Sequence, residues 1–131
     1  MWNLLYYDII NGGYLSLSIK VLVVEDESII ALDFQSILMK KDHIVKIASS
    51  GESALKEIEN ENFDLIFMDV ALNGDLDGIE TAKIIKSKYP DIKIVFVSGS
   101  SNLTDIENIN QLKPFKFISK PLKPKELEGI I

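Results

Sequence analysis

From residue 19 onward, short apolar runs alternate with stretches whose apolar residues recur at helical spacing. Ile19–Val24 (IKVLVV) is β-branched and nearly continuous, as expected of a parallel strand covered on both faces. Asp64–Met68, Ile92–Val97 (IKIVFV) and Phe115–Ile118 read as further strands, and Ile44–Ala48 (IVKIA) as a more exposed one. Between them, Ile30, Phe34, Ile37 and Leu38 fall at i, i+4, i+7 and i+8, one face of a helix. Ser49-Ser50-Gly51-Glu52 predicts a capping box, Ser49 paired with Glu52, opening a helix that turns Ala54, Leu55 and Ile58 inward. Asp77 is expected to cap a helix burying Ile79, Ala82 and Ile85, which Tyr89-Pro90-Asp91 ends. The polar, asparagine-rich segment from Ser101 to Leu112 predicts only a weak helix. Pro124 suits the first position of a last helix, with Leu127 and Ile131 inward.

The alternation is (βα)5. It predicts an α/β fold: one right-handed, doubly wound, parallel five-stranded sheet with helices on both faces. Ligands of such sheets bind outside the carboxyl ends of the strands. The fold alone names no function. Residues 1–18 stand outside the repeat, as a flexible leader or the tail of a preceding domain, and IINGGYL has the look of a hairpin turn. The domain is expected over 19–131. The sequence stops on Glu-Gly-Ile-Ile, an apolar end in mid-helix, which suggests a helix that continues or a piece of a larger protein.

Composition narrows the function classes. The chain's 131 residues fit one domain. Cysteine is absent, which excludes disulfides and thiolate metal sites and fits a reducing, cytoplasmic setting. The net charge is −6, and all 14 basic residues are lysine. Without arginine's forked donor, an acidic domain is a poor direct binder of nucleic acid. No apolar run reaches the length of a membrane span, and the N-terminus does not read as a signal peptide.

The chemistry gathers where the strands end. Strand 1 runs into Glu25-Asp26-Glu27, strand 3 into Asp69, strand 4 into Ser98-Gly99-Ser100, and strand 5 into Ser119-Lys120-Pro121. Clustered carboxylates repel unless a cation sits among them. Mg²⁺, a hard ion with oxygen ligands, fits, and it leaves room for a phosphoryl group. A carboxylate can act as nucleophile and form an acyl phosphate. The transferring group then needs positive charge and donors, which Mg²⁺, Lys120 and Ser98 can supply.

VLVVEDE, FMDV, FVSGS and FISKPL, in this order and spacing, resemble the receiver domain of two-component response regulators over nearly the whole chain, about Ile19–Ile131. The resemblance implies the flavodoxin-like strand order 2-1-3-4-5. It implies that Asp69 accepts a phosphoryl group from the phosphohistidine of a sensor histidine kinase or phosphotransfer protein. Asp26 and Asp69 would ligate Mg²⁺, Glu25 would act through water, and the Ala71 backbone carbonyl would be a further ligand. Ser98 would be the switch hydroxyl, Phe117 the switch aromatic (and a core residue), and Lys120 the partner of the phosphoryl oxygens. Lys120-Pro121 matches the family's cis peptide. The implied function is a phosphorelay switch. The face of helix 4, strand 5 and helix 5 changes its affinity for a downstream output domain or protein. Such a domain is not a conventional enzyme: it catalyses its own phosphorylation and slow autodephosphorylation.

Departures from the family pattern are local. The loop after Asp69, ALNGDLDG, is one residue longer than the commonest form. Ala71 and Ser100 are small, so the phosphoryl lifetime is expected to follow water access. Asp75 and Asp77 read as turn and cap residues, and His43 as a surface residue. Two rivals stand beside this reading. An aspartate-nucleophile phosphatase or dehalogenase would need Asp-x-Asp after strand 1, where this chain has Glu-Asp-Glu. A phosphorylation-independent pseudo-receiver would be a pure interaction module, and the full acidic pocket with Lys120 argues against it.

Overall fold

Each central strand buries alternate residues on opposite faces of one sheet. Leu22, Val24, Ile66, Met68, Ile94 and Phe96 pack on one side; Val21, Val23, Leu65, Phe67, Val95 and Val97 pack on the other. This is why their runs are continuous rather than alternating. The structure, a computed structural model, describes residues 18–99 and 102–131. Its elements are β1 (Lys20–Val24), α1 (Ser28–Met39), β2 (Ile44–Ala48), α2 (Gly51–Asn60), β3 (Leu65–Asp69), α3 (Gly78–Lys88), β4 (Lys93–Ser98), α4 (Leu103–Gln111), β5 (Lys116–Ser119) and α5 (Pro124–Glu128). The strands form one parallel sheet in the order β2-β1-β3-β4-β5. The expected fold class and strand order are those observed.

Helices α2, α3 and α4 cover the first face through Ala54, Ile58, Ile79, Ala82, Ile85 and Ile109. Helices α1 and α5 cover the second through Phe34, Leu38 and Leu127. The Phe34 and Phe67 rings lie 5.2 Å apart at 50°. Each large buried side chain contributes about 1.5–3 kcal/mol by leaving water. β3 is buried along its whole length, so the residue at its end is held by a rigid strand. α4 does form; Asn102 caps it through the N–H groups of Thr104 and Asp105.

Three expectations about these elements need correction. The cap of α2 is Ser50, which accepts the Ser53 N–H at 3.0 Å, and Ser49 does not pair with Glu52. Glu52 is drawn away to another element, described below. Asp64 is not part of β3: its side chain accepts the Lys20 N–H at 2.8 Å and pins the start of β1. Phe117 is not a core residue. It is 39% exposed because β5 is a four-residue edge strand paired only with β4, and α4 buries only Ile109. The capping box at Asp77 does form, with Glu80 as its reciprocal partner. The hairpin expected in IINGGYL, and Ser100, lie outside the described residues.

His43, expected at the surface, is half-buried, and its Nδ1 accepts the Ile19 N–H at 3.2 Å. Burial and then Lys41 hold its pKa below the ordinary value, against an opposing pull from Asp42. The unfolded chain therefore takes up the proton first as pH falls. Stability is lost below about pH 6.5 and levels off once the folded-state pKa is passed. His43→Gln, which keeps an acceptor but cannot titrate, is expected to lose less stability than wild type between about pH 7.5 and 5. Urea midpoints at the two pH values check this, and equal losses would contradict it.

Candidate functional site

The register of the sheet brings three strand ends together. Val24 pairs with Met68, and Asp69 with Val97, so Glu25, Asp69 and Ser98 stand side by side at the carboxyl edge. Ser98 in turn pairs with Ser119, which places Lys120 beside them. Glu25, Asp69 and Ser98 are all buried, at 2%, 3% and 4% exposure. The Lys120–Pro121 peptide is cis, as the resemblance implied. Lys120 N–H donates to the Ser98 carbonyl at 2.8 Å, tying the end of β5 to β4.

Lys120 Nζ lies 2.9 Å from Glu25 Oε1 and 3.4 Å from Asp69 Oδ2. The second oxygen of each carboxylate takes a backbone donor: Glu27 N–H to Glu25 Oε2 at 3.1 Å, and Ala71 N–H to Asp69 Oδ1 at 3.1 Å. Asp26, half-buried, accepts the Asn73 N–H at 3.0 Å. One ammonium thus serves two buried carboxylates, with a third, Asp26, next in the chain.

The titration of these groups is set first by burial and then by their neighbours. Burial pushes the Glu25 carboxyl up to about 7, with Lys120 and the Glu27 N–H pulling it down and Asp69 adding to the rise. Burial would lower Lys120, but the Glu25 and Asp69 carboxylates outweigh it and hold the ammonium charged. Asp26 is also pushed up by burial, yet the Asn73 N–H and Glu25 leave it lower than usual.

This donor set fits a hard divalent cation. Every available donor is oxygen, and carboxylate oxygens of Glu25, Asp26 and Glu27 lie within 4.8 Å of one another. Burial raises the Glu25 carboxyl toward neutrality, and a bound cation would favour its charged form.

The loop from β3 to α3 is shaped by close approach. A Cβ on Gly78 would collide with the Asp69 carbonyl and come within 2.9 Å of the Val70 Cα. Only glycine lets α3 start against the end of β3, so the loop's two ends are fixed beside Asp69. Asp77 caps α3, and Asp75 is an exposed loop residue without a contact to the cluster among those described. Phe117 and Leu103 are exposed on the β5 and α4 side, at 39% and 76%. The sequence did not announce one residue that touches this loop: Glu52 accepts the Leu76 N–H at 3.2 Å. Its place in the first turn of α2 suggested a cap, and nothing in its spacing pointed across to the loop.

A groove of about 960 Å³ lies at the opposite, amino-terminal edge, lined by Ile19, Phe63, Tyr89, Ile92 and Phe115 among others. It contains none of the site residues. No helix among the described residues is long and apolar enough to cross a membrane.

Comparison with known proteins agrees with this fold. The model of the response regulator receiver domain matches residues 21–131. The nitrogen assimilation regulatory protein NtrX of Azorhizobium caulinodans is 32% identical over 108 residues, which is 82% of this chain and 24% of that protein. The alkaline phosphatase synthesis transcriptional regulatory protein PhoP of Bacillus subtilis is 35% identical over 110 residues, 84% of this chain and 45% of that protein. The chain therefore spans less than half the length of either relative. A response regulator receiver domain protein from Methanospirillum hungatei superposes with a TM-score of 0.81 at 29% identity, covering 87% of this chain and 90% of that one. With a matching family model over most of its length, the chain belongs to the response regulator receiver domain family, whose general work is phosphorylation-controlled signalling in two-component systems.

Proposed function

We propose that residues 19–131 act as a receiver whose phosphoacceptor is Asp69. The observation that carries this reading is a buried strand-end carboxylate with one oxygen 3.4 Å from Lys120 and the other held by the Ala71 N–H. The donor is a phosphohistidine on a sensor histidine kinase or phosphotransfer protein. An Asp69 oxygen attacks phosphorus, the P–N bond breaks, and the imidazole leaves with its electron pair and takes a proton. The product is an acyl phosphate. Asp26 and Asp69, with Glu25 through water and the Ala71 carbonyl, would hold Mg²⁺. When bound, the ion supplies charge to the phosphoryl oxygens. Lys120 is drawn from Glu25 and Asp69 toward the new phosphoryl oxygens, and Ser98 supplies a hydroxyl beside them. The buried strand ends keep these groups in place, so little reorganisation is needed as charge develops.

Phosphorylation adds negative charge where one lysine already serves two carboxylates. Ser98 and Lys120 flank β5, so the rearrangement reaches the α4–β5–α5 face, where Leu103 and Phe117 are exposed to a partner. That partner is a downstream output domain or protein, and the setting is cytoplasmic. The complete acidic pocket disfavours a pseudo-receiver. After incubation with acetyl phosphate and Mg²⁺, amide hydrogen exchange is expected to change in Leu103–Gln111 and Lys116–Ser119. A phosphorylated protein with unchanged exchange there would overturn the switching role of this face.

A further inference from the structure

The β3–α3 loop hangs on carboxylates from separate elements. Ala71 N–H donates to Asp69 and Asn73 N–H to Asp26, at 3.1 and 3.0 Å. Leu76 N–H donates to Glu52 Oε1 at 3.2 Å. The first two anchors belong to the reacting cluster. On the receiver reading, their oxygens would change partners when a cation binds or a phosphoryl group arrives. Glu52 takes no part in that cluster, because it reaches the loop from α2. The packing of α2 supports this reach. A Cβ on Gly51 would collide with Thr81 Oγ1 and come within 3.0 Å of the Leu76 Cβ, so α2 begins directly against the loop and α3. Glu52 Oε2 lies on the same side, 3.9 Å from where a Cβ on Gly74 would stand. Gly74 has φ +114°, a kink in mid-loop between the Asp26 and Glu52 anchors.

We propose that Glu52 is a positioning residue for the phosphorylation site, a fixed clasp that holds the β3–α3 loop while Asp26 and Asp69 change partners. This deepens the receiver reading and rests on it. The clasp acts through the loop: it keeps the backbone at Ala71 in register with Asp69 and limits the water that reaches the acyl phosphate. Small Ala71 gives little shielding of its own, so the loop's position governs access. The clasp needs an acceptor, not a charge. Glu52→Gln keeps an oxygen at the same reach, whereas Glu52→Ala removes it.

The experiment compares wild type, Glu52→Gln and Glu52→Ala in the full chain. Mg²⁺ affinity of the unphosphorylated protein is measured by calorimetry, Leu76 amide exchange by NMR, and acyl phosphate decay after acetyl phosphate treatment by intact mass. For folded Glu52→Ala, about five-fold weaker Mg²⁺ binding and about five-fold faster decay are expected, the ratio a single hydrogen bond typically carries. Leu76 exchange should also speed up. Glu52→Gln should stay within about two-fold of wild type on all three, given the neutral acceptor that remains. A merely stabilising residue would move the urea midpoint and leave affinity and decay unchanged. That outcome in Glu52→Ala overturns the proposal, and so does a Glu52→Gln protein as impaired as Glu52→Ala. If Glu52→Ala does not fold, Glu52→Asp, one methylene too short to reach Leu76, stands in with the same expected losses. If wild type itself takes no phosphoryl group, the receiver reading fails. The clasp is then judged on Mg²⁺ affinity and Leu76 exchange alone.

Discussion

Lys120→Met is expected to cost the metal-free protein about 3 kcal/mol of folding stability at pH 8, because it strands two buried carboxylates. Lys120 is the cation within 3.4 Å of both Glu25 and Asp69, which are 2% and 3% exposed. Removing one partner of a buried ion pair leaves the other charge without water or counter-ion. The loss should depend on pH. The folded-state pKa of Glu25 already stands near 7, above its usual 4.5, and losing Lys120 raises it further. The folded protein therefore binds more protons than the unfolded chain across this range, and stability falls as pH rises from about 4.5 through the folded-state value. The gap between variant and wild type should be small at acidic pH and widest at pH 8. Millimolar Mg²⁺ should close part of it at pH 8, by binding the folded state alone. Urea unfolding at both pH values, with and without Mg²⁺, measures all of this. A gap that does not widen with pH would contradict the charge account.

Phosphorylation is expected to collect on Asp69 and on no other acid. Asp26 follows Glu25 in the chain but is half-exposed, its pKa is lower than usual, and one oxygen is taken by the Asn73 N–H. Glu25 is buried and faces the same ammonium at 2.9 Å, but burial pushes its carboxyl up to about 7, which weakens it as a nucleophile near neutral pH. Asp77 is spent on capping α3. Among the described acids, Asp69 alone ends a strand buried along its whole length with a lysine at 3.4 Å. Peptide mapping of the treated protein should therefore find the label in the peptide containing Asp69, and Asp69→Ala should remove it entirely.

Much of this was legible because the strands are buried on both faces. A run such as Ile94–Val97 has no polar break to misread, and in a parallel sheet every such run delivers the next residue to the same edge. Glu25, Asp26, Asp69, Ser98 and Lys120 could thus be placed together from sequence, and the structure brings them to one edge. What escaped were contacts between elements. Ser49 and Ser50 are equally good caps by type; the choice of Ser50 depends on where the chain leaves β2. Glu52 looked like a local capping residue, but its hydrogen bond runs to Leu76, 24 positions away. His43 beside two charged neighbours looked like surface until the fold set Ile19 against its ring. Phe117 looked like core because aromatic residues in a strand usually are; its exposure comes from the sheet ending at β5.

The most direct measurement is intact mass after incubation with acetyl phosphate, with Mg²⁺ or with a chelator, for wild type and Asp69→Ala. The account requires one phosphoryl increment on wild type in Mg²⁺, little or none with chelator, and none on Asp69→Ala. A wild-type protein that never gains the increment, or an Asp69→Ala protein that gains it as readily, would contradict the assignment of Asp69 as the phosphoacceptor.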